Sequence, residues 1–326
     1  MRDKNDIISE DGDVSKMAYL FPGQGSQVVG MGQDFYQEFG FVRELFDMAE
    51  EISRINLRQL CFKGPMEELT RTVNLQPAVT VVNLAFLAAV QRESGKPVIS
   101  VGHSLGEYSA LHAAGVVSAE DAIRLVHRRG ELMHREALKH KGAMSALLGL
   151  TIDAVKEIVE RGRERGVVSI ANHNTEQQIV ITGEPAAVAA VSTYAAEKGA
   201  KAKPLKVSGA WHSELIRGAE EDFKAFLQTV TFNSPQSALV FNVTADTASD
   251  PDEVRSVMSR QLCSPVKWYE TMKKLVDEEI DTFVEIGPGK VLTGLLRKNL
   301  PKDYPAAVLN INDLNTFEKF ITSVSR

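Results

Sequence analysis

The chain has 326 residues and a mass of 35.8 kDa. Hydrophobic residues make up 44% of the sequence and charged residues 25%. This composition is typical of a soluble globular protein with a sizeable core, and it excludes a disordered or collagen-like chain. A net charge of −6 gives no global attraction for nucleic acid or an anionic membrane, and the two cysteines lack metal-ligand spacing.

The N-terminal segment is polar and has no apolar core, so we predict a flexible tail over residues 1–16 rather than a signal peptide. The longest apolar stretch, residues 78–90, is interrupted by Asn83 and is too short to span a bilayer. We therefore expect a reduced, cytoplasmic protein with no membrane association.

Short apolar runs that end in glycine-rich turns alternate with helical patterns along much of the chain. The predicted buried strands are 17–21, 97–101 and 282–286. The predicted helices are 32–54, 77–93 and a run that ends near 114. Strands that alternate with helices predict a mostly parallel sheet covered on both faces, formed by residues 17–140 and 208–326.

The pattern changes between residues 141 and 207. Strands are predicted at 143–150, 167–172, 177–183 and 201–207, and helices at 152–164 and 185–198. This β-α-β-β-α-β order is the split motif of a ferredoxin-like domain. We predict that this smaller domain is inserted into the larger α/β unit.

Residues 102–106, Gly-His-Ser-Leu-Gly, match the pattern G-x-S-x-G. Between a strand and a helix, this pattern makes a sharp turn that exposes the oxygen of Ser104. A hydroxyl is a weak nucleophile, so it needs a base and N–H donors for the oxyanion. The alternative is an ordinary serine in a glycine-bounded loop, and the flanking strand and helix favour the catalytic interpretation.

The base is expected among seven histidines. His103 is the serine's own neighbour, and adjacent residues on a sharp turn seldom face each other. His212 lies in a loop after a strand, where it can reach the site, and is the leading candidate among several.

Arg129 lies within the apolar stripe of a helix that begins after Ser118, whereas Arg124 and Arg128 lie on its opposite face. A buried guanidinium needs an anionic or hydrogen-bonding partner. Two interpretations remain open from the residues alone: an internal salt bridge, or a fork that holds a substrate carboxylate.

Several ordered motifs, taken together, are far more specific than any one alone. They are FPGQGSQ (21–27), QPA (76–78), GHSLGEYSA (102–110), RRGELM (128–133), ANHNTEQQIVITG (171–183), the His212 segment, RQLCSPVKW (260–268) and EIGPGKVLTGL (285–295). The chain resembles the malonyl-CoA:acyl carrier protein transacylases of fatty-acid synthesis and the related acyltransferase domains of polyketide synthases. The resemblance covers nearly the whole chain from Met17.

The resemblance implies an α/β-hydrolase-like large subdomain with a ferredoxin-like insertion. It also implies a role for each matching residue: Ser104 as nucleophile, His212 as general base, Gln261 as the residue whose backbone carbonyl orients the base, Gln24 and Leu105 as backbone donors of the oxyanion hole, and Arg129 as the partner of the malonyl carboxylate. Trp211, next to the base, replaces the phenylalanine common in malonyl-selective relatives, and its ring is expected to disfavour methylmalonyl groups.

The implied reaction is ping-pong transfer of malonyl from malonyl-CoA, through a malonyl-serine ester, to the phosphopantetheine thiol of acyl carrier protein. It needs no metal or redox cofactor, and the family's usual form is a monomer. Three alternatives remain: a trans-acting polyketide acyltransferase, an acyl-thioester hydrolase, and a non-catalytic scaffold that binds carrier protein.

Overall fold

A computed structural model describes residues 16–324, so the predicted tail lies outside the described residues except for Lys16. The strands of the described region are β1 (Met17–Phe21), β2 (Ile99–Gly102), β3 (Ala143–Leu148), β4 (Val168–Thr175), β5 (Gln178–Gly183), β6 (Lys201–Pro204), β7 (Ala238–Val240), β8 (Thr282–Ile286) and β9 (Ala307–Ile311). Its α-helices are α1 (Gln33–Glu38), α2 (Gly40–Ser53), α3 (Leu57–Lys63), α4 (Met66–Thr70), α5 (Thr72–Glu93), α6 (Gly106–Ala113), α7 (Ala119–Lys139), α8 (Ile152–Gly162), α9 (Pro185–Glu197), α10 (Arg217–Leu227), α11 (Pro251–Ser259), α12 (Trp268–Asp277), α13 (Val291–Asn299) and α14 (Leu314–Val324).

The larger sheet has five strands in the order β7-β2-β1-β8-β9, and every pair is parallel. Its central strand, β1, is buried on both faces because successive side chains point to opposite sides. Tyr19 and Phe21 belong to one hydrophobic core, and Ala18 and Leu20 to the other. The predicted parallel sheet with two covered faces is confirmed.

The smaller sheet is antiparallel throughout, in the order β4-β5-β3-β6. One face carries Leu147, Ile179 and Ile181, which pack in a separate core with residues of α8 and α9. The other face carries Met144 and Val180, which belong to the main core of the protein. The order of strands and helices confirms the ferredoxin-like motif, while the exact limits of a separate domain stay a prediction.

Strand β4 connects the smaller sheet to the larger unit. Asn172 forms a parallel bridge with Val266, where the Val266 N–H donates to the carbonyl of Ala171. The imidazole of His173 hydrogen-bonds the carboxylate of Glu270 in α12 at 2.7 Å. The smaller sheet is therefore attached to the larger unit along one edge.

The first helical region differs from the prediction of one helix over 32–54. The chain breaks at Phe39, whose backbone is extended (φ −108°, ψ 127°), and α2 starts at Gly40. The Phe39 ring stacks on Phe41 and contacts Phe317 of the C-terminal helix. This packing between distant segments outweighs the local helical pattern.

Helix α5 also differs, because it begins at Thr72 and not at the predicted residue 77. Proline is favoured in a first helical turn, but here Pro77 lies inside the helix. The apolar stretch was expected over residues 78–90, too short to span a membrane. This expectation is wrong, because the helix has 22 residues and is long enough. It alone among the described residues is long and apolar enough for a span, and 83% of its most apolar part is buried in the protein, as in an ordinary core helix.

Candidate active site

The turn that carries Ser104 lies between β2 and α6, at the carboxyl end of the larger sheet. Ser104 has a positive φ of 51°. The glycines on either side are needed because a Cβ at Gly102 would lie 2.0 Å from the backbone of Gly106, and a Cβ at Gly106 would lie 2.0 Å from the carbonyl of Phe21. The close approach of strand, turn and helix thus explains the glycine spacing.

Ser104 and His212 are in direct contact although 108 residues separate them in sequence. The serine Oγ lies 2.8 Å from the Nε2 of His212. The Nδ1 of His212 faces only carbonyl oxygens, those of Ser264 at 2.9 Å and Gln261 at 3.2 Å, so Nδ1 carries the proton. Nε2 is therefore the acceptor for the serine hydroxyl.

The imidazole of His212 is held neutral by its surroundings. Burial lowers its pKa to about 3, and the nearby positive charge of Arg129 acts in the same direction. Hydrogen bonds to the two carbonyls oppose this shift only in part. A neutral imidazole that accepts from a hydroxyl is in the protonation state that general-base chemistry requires.

Arg129 is 2% exposed on the inner face of α7, as its place in the apolar stripe predicts. Its Nη2 donates to the Ser104 Oγ at 3.2 Å and its Nη1 to the Gln76 Oε1 at 3.0 Å. Its Nε donates to the side-chain oxygen of Gln261 at 3.0 Å. Within the described residues no carboxylate forms an ion pair with Arg129, so the internal salt bridge is not present and the buried charge rests on neutral partners.

Gln261 lies behind the site and contacts three of its members. Its backbone carbonyl is one of the two that accept from His212. Its side chain accepts from Arg129 and donates to the carbonyl of Ser104 at 2.9 Å. The carbonyl of Ser264 lies nearer to His212 than that of Gln261, so the orientation of the imidazole is shared between two residues.

The backbone N–H groups of Gln24 and Leu105 have no acceptor within the part of the chain that the structure describes. Gln24 follows β1 and Leu105 follows the serine, and a Cβ on Gly23 would lie only 3.3 Å from the Leu105 nitrogen. In contrast, the N–H of Ser104 itself donates to the Oδ1 of Asn242 at 2.6 Å. Two N–H donors without an acceptor among the described residues therefore lie on neighbouring chain segments at the serine turn.

These groups surround a cavity of about 110 Å³. Six of the seven predicted site residues line it: Gln24, Ser104, Leu105, Arg129, Trp211 and His212. A groove of about 370 Å³ adjoins it and shares Gln24, His103, Asn172 and Leu205. Asn172, Asn174 and Gln178 of the smaller sheet line this groove.

His103 points away from its neighbour, as its position on the sharp turn predicts. Its Nε2 hydrogen-bonds the side chain of Asn174 at 2.9 Å, and its ring lies edge-on to Trp268. Trp211 is 4% exposed, and it lines the cavity together with His212.

Sequence reasoning missed three residues that support the site. Asn242, just after β7, also donates to the carbonyl of Gly102 at 2.7 Å and so holds both ends of the turn. Gln76 lies in the QPA motif and Glu107 in the GHSLGEYSA motif. The local sequence does not indicate that their side chains are buried against distant partners. Only the position of Asn242 at the end of a neighbouring strand could have suggested it.

An all-parallel α/β sheet that presents a serine and a histidine in contact beyond its carboxyl ends is the architecture of an acyl-group enzyme. Residues 18–320 match the family model described as "Acyl transferase domain", and the chain belongs to this acyltransferase family.

The names of three similar proteins are narrower than this family description. "Malonyl CoA-acyl carrier protein transacylase" of Bacillus subtilis is 43% identical over 287 residues, which cover 87% of this chain and 90% of that protein. "Polyketide biosynthesis protein ThaF" of Burkholderia thailandensis is 42% identical over 291 residues, which cover 89% of this chain and 24% of that protein. The crystal structure of an acyl carrier protein S-malonyltransferase from Vibrio cholerae has a TM-score of 0.89 and 36% identity, covering 94% of this chain and 100% of that one.

Proposed function

We propose that the protein transfers the malonyl group from malonyl-CoA to the phosphopantetheine thiol of acyl carrier protein in fatty-acid synthesis. The names of its relatives support this reaction. The observation that carries the proposal is the Arg129 guanidinium, which is buried beside the Ser104 Oγ and has no carboxylate partner among residues 16–324. A malonyl group on the serine supplies that carboxylate.

In the first half-reaction Ser104 Oγ attacks the thioester carbon of malonyl-CoA, and its proton passes to His212 Nε2. The tetrahedral oxyanion accepts from the N–H groups of Gln24 and Leu105. The carbon–sulfur bond then breaks, and the coenzyme A sulfur takes the proton back from His212. A malonyl-serine ester remains.

In the second half-reaction the phosphopantetheine thiol of acyl carrier protein gives its proton to His212 and attacks the ester carbon. The carbon–oxygen bond to Ser104 breaks, and His212 returns the proton to the serine oxygen. Each step exchanges one acyl bond for another, and every proton moves between Ser104, a thiol and His212. The reaction therefore calls for no metal or redox cofactor, and we propose that the protein uses none.

The carbonyls of Gln261 and Ser264 keep the base in the tautomer that both half-reactions need. Trp211 narrows the cavity beside the ester and disfavours a methyl group on the malonyl α-carbon. We further propose that the protein acts as a monomer in the cytoplasm, as its resemblance to the family implies.

A polyketide pathway is the second candidate, because the relative from Burkholderia thailandensis is named for polyketide biosynthesis. The chemistry would be the same and only the carrier protein would differ. A thioester hydrolase is disfavoured, because the release of acyl groups to water does not require a buried arginine next to the serine.

The experiment is intact mass spectrometry after brief incubation with malonyl-CoA, with Ser104→Ala in parallel. We expect one malonyl adduct on the native chain, discharged when holo acyl carrier protein is added, and no adduct on the variant. An adduct on Ser104→Ala would contradict the nucleophile. Steady release of malonate without carrier protein would indicate an acyl-thioester hydrolase. Binding of carrier protein without any malonyl adduct would indicate a non-catalytic scaffold.

A further inference from the structure

Glu107 is a buried carboxylate that the proposed reaction does not use. It lies in the first turn of α6, three residues after Ser104, and is 1% exposed. Its Oε1 accepts from the backbone N–H of Asn242 at 2.8 Å, and its Oε2 accepts from the Nε2 of Gln261 at 2.6 Å. Burial raises its pKa to about 7, and these hydrogen bonds and the charge of Arg129 oppose that rise. A fully buried acid at this position needs a reason.

Both the nitrogen and the oxygen of the Gln261 side-chain amide form hydrogen bonds. Its Nε2 faces two acceptors, the Glu107 carboxylate and the carbonyl of Ser104. Its Oε1 faces two donors, the Arg129 Nε and the Tyr108 hydroxyl, at 3.0 and 3.2 Å. The opposite orientation would place the NH₂ group against the guanidinium and the oxygen against the carboxylate, so the four contacts specify one orientation.

We propose that Glu107 is a positioning residue that fixes the orientation of the Gln261 amide and thereby aims Arg129 at the acyl group on Ser104. The carboxylate acts at a distance from the substrate, through a two-step chain of hydrogen bonds. The same carboxylate accepts from the backbone of Asn242, whose side chain holds the N–H of Ser104. Glu107 thus aligns the arginine and the serine turn to each other. This inference rests on the proposed malonyl transfer.

The test is Glu107→Gln, which keeps the shape but replaces one acceptor by a donor. Two N–H groups converge on residue 107, from Asn242 and Gln261, and a glutamine can accept with only one oxygen. The N–H of Asn242 is held in the backbone, so the conflict falls on Gln261 and favours the wrong orientation of its amide. Malonyl loading then meets a misaimed Arg129, whereas acetyl loading does not depend on that residue.

We measure kcat/KM for loading from malonyl-CoA and from acetyl-CoA at pH 8, where Glu107 is ionised. The malonyl-to-acetyl ratio is expected to fall at least about tenfold in Glu107→Gln, on the scale of one lost charge-assisted hydrogen bond. In a Gln261→Ala background the same substitution is expected to leave the ratio almost unchanged, because its mediator is gone. Equal losses for both donors, or the same fall in both backgrounds, would overturn the proposal.

Glu107→Asp covers the case in which the glutamine variant does not fold, because it keeps the charge and both acceptor oxygens. Its side chain is one CH₂ shorter, so the contact to Gln261 is weakened rather than reversed, and the malonyl-to-acetyl ratio is expected to fall by less than about tenfold with acetyl loading unchanged. Equal losses for both donors in a folded aspartate variant would contradict the positioning role. Failure of the native chain to form any malonyl adduct would refute the proposed function itself, which separates the two outcomes.

Discussion

Replacing Arg129 by alanine removes the only cation that contacts Ser104 among the described residues. In the native site the guanidinium is almost fully buried and burial lowers its pKa, so its charge is costly unless a substrate carboxylate pairs with it. Acetyl-CoA offers no such carboxylate. The variant is therefore expected to lose malonyl transfer selectively.

The magnitude follows from the burial. Breaking a buried ion pair by removing one partner costs about 3–5 kcal/mol, which corresponds to a fall of about 10²- to 10⁴-fold in kcat/KM for malonyl-CoA. Acetyl loading has no pair to lose, so it is expected to change by less than about threefold. The measurement is the rate of acyl-enzyme formation from each donor, by rapid quench and intact mass spectrometry.

Arg128→Ala is the matched control, because Arg128 lies on the exposed face of the same helix and pairs with Glu131 on that face. It should leave both rates unchanged. Thermal unfolding of the Arg129→Ala variant checks that it is folded, since Gln76 loses a hydrogen-bond donor. Equal losses with malonyl-CoA and acetyl-CoA in a folded variant would refute the carboxylate role of Arg129.

Two further results are expected. Because burial and Arg129 lower the pKa of His212 to about 3, this imidazole stays neutral as the pH falls, so acetyl loading should be level from pH 8 to pH 5. An acid limb near pH 6.5 that persists in Glu107→Gln, which lacks the carboxyl group with a pKa of about 7, would contradict the lowered pKa of His212. Trp211→Ala should raise the methylmalonyl-to-malonyl ratio of loading rates, because the ring lines the cavity, and an unchanged ratio would remove the steric argument.

Local rules were sufficient for parts of the fold and the site. The two glycines around Ser104 report a close approach of strand and helix, which the backbone distances explain. The apolar stripe of α7 placed Arg129 on a buried face, because helical periodicity is a property of the sequence alone. The strand and helix order of the smaller sheet was readable for the same reason.

Contacts between residues far apart in the sequence could not be predicted. Asn242 reaches the Ser104 turn from the end of β7, 138 residues away, and no motif marks it. The break at Phe39 depends on a phenylalanine near the C-terminus, and the early start of α5 depends on burial that overrides the usual place of proline. Each of these is decided by tertiary packing, which composition and periodicity do not encode.

The attachment of β4 bears on how the range of acyl groups could be redesigned. One wall of the groove is clamped, because Asn174 receives a hydrogen bond from His103 on one side and from Asn299 on the other. Leu205 lines both the groove and the cavity at Ser104, and Val207 lines the cavity. Both residues follow the end of β6 and are held by backbone hydrogen bonds, from Leu205 to Met144 and from Val207 to Leu205. Substitutions aimed at longer or branched donors belong at these two positions, because neither side chain takes part in the contacts that join β4 to the larger unit.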